Sequence, residues 1–65
     1  MSAWNEQNTD GFNAKEMETL SNAHSRLANE FPNIDGTSLN DLLNNEWYMG
    51  ITEDEIINAV QKRLR

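Results

Sequence analysis

The sequence predicts an all-α protein, a compact three-helix bundle that follows a flexible N-terminal arm over residues 1–11. From Phe12 onward, apolar residues recur at spacings of three and four, which is the period of one helix face. Cap and turn residues divide this pattern into helices at about 13–31, 36–48 and 52–64. The sequence shows no strand-like alternation. Because a helix with one apolar stripe must bury it on a neighbour, short connections predict that the three pack together.

The first predicted helix has a start signal, an apolar face and a stop signal. Asn13 can cap it, and Glu16 follows three residues later, where its side chain can reach back to the cap. Pro32 ends the helix, because a proline pushes the preceding residue out of helical geometry. The apolar face consists of Met17, Leu20, His24, Leu27, Ala28 and Phe31.

The second predicted helix follows the turn NIDGTS. Asp35 and Ser38 compete as its cap, since both residue types accept hydrogen bonds from free helix amides. Gly50 fits the left-handed backbone position just past the end of the helix. The buried face is expected to carry Leu39, Leu42, Leu43 and Trp47.

The third predicted helix has the clearest start. Thr52 and Glu55 form a capping box, and the acidic run 53–55 lies at the positive end of the helix dipole. Lys62 and Arg63 lie near the negative end, which is the favourable arrangement for cations. The buried stripe consists of Ile56, Ile57, Val60 and Leu64.

Size and composition limit the class of protein. The chain has 65 residues and no cysteine, so we expect a single domain over 12–65 without disulfides or a thiolate metal site. Its start is polar and no apolar run approaches the roughly 18 residues that span a bilayer, so we expect a cytoplasmic protein without a membrane partner. A net charge of −6 repels phosphate backbones and disfavours nucleic acid, but it allows a basic protein partner.

Few residues could carry chemistry. His24 falls on the apolar face of the first helix, where it is either a core residue or a pH switch. Glu53, Asp54 and Glu55 point in different directions on a helix, and their place at a helix start already accounts for their charge. We therefore expect no catalytic residue, no bound metal and no cofactor, and we predict that the protein is not an enzyme.

The C-terminal letters QKRLR leave a second function open. A helix that follows a turn can be the recognition helix of a helix-turn-helix DNA-binding regulator, and the segments after residue 36 have roughly suitable lengths. Recognition helices use their N-terminal residues at base edges, and here that position holds the acidic run 53–55. DNA binding is therefore the alternative to protein binding.

The segment EFPNIDGTSLNDLL, followed by ITEDEIINAVQKRL, resembles the ubiquitin-binding three-helix modules of the CUE type. Those modules carry Met-Phe-Pro after the first helix and a di-leucine late in the third. Phe31, Pro32 and Leu64 match that pattern, whereas Glu30 replaces the methionine and Arg63 replaces the first leucine. The connection between the second and third helices is also longer here. The resemblance implies a similar architecture, and ubiquitin binding is not carried over.

The aromatic stretch NNEWYMG suggests a surface for a partner. Trp47 follows Leu43 by four residues and is predicted to lie in the core, while Tyr48 turns about 100° away on helical geometry. Tryptophan and tyrosine are enriched in binding hot spots, and methionine in adaptable surfaces. We predict a small acidic protein-interaction module, an adaptor, inhibitor or regulatory subunit, whose partner is another protein or a second copy in a homodimer. The candidate contact residues are Tyr48, Met49, Phe31 and Pro32 at one corner, and Trp4 in the arm, which either covers the core or anchors a partner.

Overall fold

The computed structural model describes residues 12–65, which form three α-helices in contact with one another. The helices are α1 (Ala14–Glu30), α2 (Gly36–Glu46) and α3 (Glu53–Leu64). The predicted all-α three-helix bundle is therefore confirmed. Residues 1–11 lie outside the described part of the chain, and with them the predicted arm and the candidate contact residue Trp4.

Two helices begin with the predicted capping boxes. The Glu16 amide donates to Asn13 Oδ1 at 2.8 Å, and the Asn13 amide donates to Glu16 Oε1 at 3.0 Å. At α3, the Glu55 amide donates to Thr52 Oγ1 at 3.2 Å, and the Thr52 amide donates to Glu55 Oε1 at 3.0 Å. Each box satisfies amides that a helix start leaves without an intrahelical partner.

Asp35 caps α2. Its Oδ1 accepts a hydrogen bond of 2.8 Å from the Ser38 amide, and its Oδ2 accepts one of 3.3 Å from the Ser38 hydroxyl. Asp35 has the extended backbone of a cap, with φ −79° and ψ 159°. Of the two candidate caps, Asp35 is therefore the one that caps α2, and Ser38 lies inside the first turn of the helix.

The second helix ends two residues earlier than predicted. Trp47 has an extended backbone, with φ −68° and ψ 137°, so it terminates α2 instead of belonging to it. The chain then turns: the Ile51 amide donates to the Tyr48 carbonyl at 3.2 Å, and Gly50 adopts a left-handed φ of 89°. Gly50 is thus the third residue of the four-residue turn 48–51, where such a turn requires a positive φ, and it does not directly follow the end of α2. This turn returns the chain to the core, where Ile51 is buried.

The core lies on the axis where the three apolar stripes meet. It consists of Leu20, Ala23, Leu27, Leu39, Leu43, Ile51, Ile56, Ile57 and Val60. Partly buried apolar residues pack around it, among them Trp47 and Leu64. Trp47 was predicted to be a core residue, and the structure places it at the core margin.

Contacts between the helices show which of their ends are neighbours. The start of α1 lies beside the connection between α2 and α3, since Asn13 and Thr19 share a cleft with Gly50 and Thr52. The end of α1 lies beside the end of α3, where Gln61 Nε2 donates to Glu30 at 2.6 Å. The second connection therefore lies beside the start of α1, and the end of α1 lies beside the end of α3.

Candidate functional site

Tyr48 and Met49 form an exposed apolar pair in the connection between α2 and α3. Tyr48 is 54% exposed and Met49 is 83% exposed, and within residues 12–65 they are the large hydrophobic side chains that the fold leaves in solvent. Both follow Trp47, whose extended backbone carries the chain out of α2. The connection therefore presents one aromatic and one thioether side chain outward, while Trp47 and Ile51 on either side pack inward.

Tyr48 is tied to the start of α3. The carboxylate of Glu55 accepts hydrogen bonds from the Thr52 amide and the Thr52 hydroxyl, which lower the pKa of Glu55, although partial desolvation opposes the shift. The Tyr48 side chain lowers the same pKa and has the smallest influence of these groups, which places its phenol near the capping carboxylate. More than half of the tyrosine surface stays in solvent.

An open cleft of about 480 Å³ lies on one side of Tyr48, between the end of α2 and the outer face of α3. Trp47, Ile51 and Ala59 supply its apolar surface. Its polar lining consists of Asn45, Glu46, Tyr48, Glu55, Asn58 and Lys62. Glu46 is held by Arg63, whose Nε donates to the Glu46 carboxylate at 3.2 Å.

A second cleft, of about 370 Å³, lies between the same connection and the start of α1. Trp47 and Ile51 line it as well, so these two residues separate the clefts. Its other lining residues are Asn13, Lys15, Glu16, Thr19, Gly50, Thr52 and Glu53. The exposed turn thus lies between two clefts that share the apolar surface of Trp47 and Ile51.

The predicted corner of Tyr48, Met49, Phe31 and Pro32 is not formed. Phe31 caps the far end of α1, where its amide donates to the Leu27 carbonyl at 2.8 Å. The helix of 17 residues is about 25 Å long, and the Tyr48–Met49 turn lies beside its other end. Phe31 is partly buried against the core, and Pro32 is exposed.

His24 belongs to the core margin. It is 9% exposed, and its Nε2 lies 3.4 Å from the carbonyl oxygen of Gly36 at the start of α2. A Cβ at Gly36 would lie 3.8 Å from the same ring nitrogen, so the imidazole packs closely on the backbone. In the described chain, no group of three histidine, aspartate or glutamate side chains is arranged to hold a metal ion.

The acidic start of α3 forms ion pairs with α1, which the sequence did not predict. Arg26 of α1 donates to Glu53 at 2.7 Å and to Asp54 at 3.3 Å. The hydrogen bonds to Glu53 and then to Asp54 are the main causes that raise the pKa of Arg26. The residues that a recognition helix would present to DNA are therefore carboxylates paired with the protein's own arginine. None of the three helices found in residues 12–65 is long and apolar enough to cross a membrane.

Comparisons of the chain with protein-family models, with curated proteins and with solved structures found no match. The two positions that depart from the CUE pattern have polar roles here. Glu30 accepts from Gln61 and lies 3.7 Å from Arg65 Nη2, and Arg63 binds Glu46. Side chains that form polar contacts between helices thus stand where that pattern has methionine and leucine.

Proposed function

We propose that this protein is a small acidic, non-enzymatic protein-interaction module, and that the Tyr48–Met49 turn is its contact surface. An adaptor, an inhibitor and a regulatory subunit are all forms of such a module. The observation that carries the proposal is the exposure of both side chains, 54% and 83%, on a connection that is anchored to the core on both sides.

The anchoring matters because binding must offset the entropy lost when surface groups are ordered. Trp47 and Ile51 hold the two ends of the connection against the core. The short connection between them therefore needs little additional backbone ordering when a partner docks. Met49 is unbranched and flexible, so it can adapt to the partner's shape. Tyrosine is enriched in binding hot spots, and methionine is frequent at adaptable binding surfaces.

The test is site-specific photo-cross-linking in lysate of the source cells. A photoreactive amino acid replaces Met49 in one variant and Asn22, an exposed residue of α1, in the matched control. We expect a discrete protein adduct from position 49 and none from position 22, together with loss of the adduct when Tyr48→Ala is added. Circular dichroism of each variant checks that the helices are retained.

Two results would overturn the proposal. One is the absence of a discrete adduct from position 49 in folded protein. The other is the same adducts from positions 49 and 22, because general stickiness of the surface would then explain them.

A further inference from the structure

We infer that a hydroperoxide oxidises Met49 in preference to Met17, and that the resulting sulfoxide disables the Tyr48–Met49 turn as a contact surface while the fold is retained. Met49 is then an oxidation-sensitive switch. The regulatory part rests on the proposed function, whereas the preferential oxidation does not depend on it.

Methionine supplies all the sulfur in this chain, which contains three methionines and no cysteine. Without a thiolate to react first, the thioethers are the sulfur groups that a hydroperoxide oxidises. Met1 lies outside the described residues, so the structure compares Met17 with Met49.

These two methionines lie in different surroundings. Met49 has 83% of its surface exposed and belongs to the turn 48–51 in the connection between α2 and α3. Met17 is partly buried and lies within α1. Because oxidation of a side chain follows its exposure to solvent, Met49 should react first.

The reaction needs only the hydroperoxide and the exposed sulfur. A lone pair of Met49 Sδ attacks the hydroxyl oxygen of the peroxide, an S–O bond forms and the O–O bond breaks. The sulfur loses two electrons and the peroxide gains them. The proton of the attacked oxygen passes to the leaving oxygen, which departs as water or as an alcohol. Reductases can return the sulfoxide to the thioether, so the modification is reversible.

The product changes the turn without changing the core. Within residues 12–65, Met49 is neither a core residue nor one of the apolar residues packed against the core, so its oxidation removes no core packing. The contact surface, however, loses its flexible apolar thioether beside the exposed ring of Tyr48. A partner that docks there would have to bury a polar sulfoxide, which costs binding free energy unless the oxygen is hydrogen-bonded.

Peptide mapping by mass spectrometry during treatment with hydrogen peroxide tests the first step. In the wild-type full chain, Met49 should be oxidised at least about threefold faster than Met17, because reactivity follows exposure. Circular dichroism should show an unchanged helical signal once Met49 is oxidised. Equal rates at the two methionines, or unfolding on oxidation of Met49, would overturn the inference.

Competition for the photo-cross-linked adduct at position 49 tests the second step. Excess chain without the photoreactive group is added to the lysate together with the photoreactive variant. Unoxidised wild type should abolish the discrete adduct, and wild type oxidised at Met49 should fail to do so. Met49→Gln, whose side chain is unbranched and polar like the sulfoxide, should fail in the same way without peroxide.

Met49→Leu is the matched control. It keeps an apolar side chain that peroxide does not oxidise, while Met1 and Met17 remain. Its competition for the adduct should be the same before and after peroxide treatment. A loss after treatment would place the effect at another methionine and exclude Met49 as the switch.

The inference and the proposed function fail in different ways. If oxidised wild type competes as well as unoxidised wild type, Met49 is not a switch and the proposed function stands. If position 49 gives no discrete adduct, the proposed function fails and the regulation fails with it. The order of oxidation at Met49 and Met17 is measured by the peptide map in either case.

Discussion

The ring of Phe12 meets the indole of Trp47 edge to face, with centroids 6.0 Å apart and ring planes inclined by 67°. This is the arrangement that the charge distribution of aromatic rings favours. The contact joins the residue before the cap of α1 to the residue that terminates α2. It therefore holds the start of the first helix against the connection that carries Tyr48 and Met49.

We predict that Phe12 and Trp47 are energetically coupled. Phe12→Leu keeps an apolar side chain but removes the aromatic edge, and the coupling between the two positions should be about 0.5–1.5 kcal/mol. The measurement is a double-mutant cycle with Phe12→Leu, Trp47→Leu and the double variant, each followed by urea unfolding with circular dichroism. Strictly additive free energies of unfolding would show that the ring contact contributes nothing specific.

The two described glycines, Gly36 and Gly50, should respond oppositely to alanine. Gly50 has a φ of 89° and open space around its Cα, so Gly50→Ala should destabilise the fold by about 1–2 kcal/mol through backbone strain alone. Gly36 opens α2 and would place its new Cβ in ordinary contact with His24, at 3.8 Å, so Gly36→Ala should stabilise by about 0.4–1 kcal/mol. Urea unfolding of both variants beside the wild type measures the two changes. A stabilising Gly50→Ala would contradict the left-handed turn.

The Glu55 capping box should weaken in acid. The pKa of Glu55 is lowered in the folded state, mainly by the Thr52 amide and then by the Thr52 hydroxyl. A carboxylate with a lowered folded pKa contributes stability that is complete above its unfolded pKa, about 4.5, and is lost as the pH falls through the folded value. The difference in stability between wild type and Glu55→Gln should thus change below about pH 4.5 and stay constant above it.

Direct titration of the Glu55 carboxyl by ¹³C NMR checks the cause. Thr52→Ala removes the hydroxyl donor and Tyr48→Phe removes the phenolic donor, so both should raise the pKa of Glu55, the first by more than the second. A wild-type carboxyl that titrates at its ordinary value would show that the box is not populated in solution. An unchanged pKa in Tyr48→Phe would mean that Tyr48 is not held to α3.

The sequence alone determined that there are three helices and how α1 and α3 begin. Asn13 with Glu16, and Thr52 with Glu55, are three residues apart, so their hydrogen bonds depend on local backbone geometry and need no tertiary contact. The same holds for the apolar faces, because their period follows from the helix itself. The core was therefore largely predictable, although Trp47, Leu42 and Leu64 were placed too deep and the buried Ala23 was not predicted.

Only the tertiary structure decided where α2 ends and which surfaces lie together. Trp47 has a non-helical backbone, contacts Phe12, and is followed by a turn that returns Ile51 to the core. Helix propensity alone does not predict this end of α2. Arg26 and Glu53 are 27 residues apart in sequence, so their contact depends on how α1 and α3 pack. The candidate site also depends on tertiary structure. Tyr48 and Met49 are exposed because of the path that the chain takes between α2 and α3. The same path keeps them apart from Phe31 and Pro32 at the end of α1. Interactions within one helical turn are encoded locally, whereas the neighbours of a connection are set by the directions of the helices that it joins.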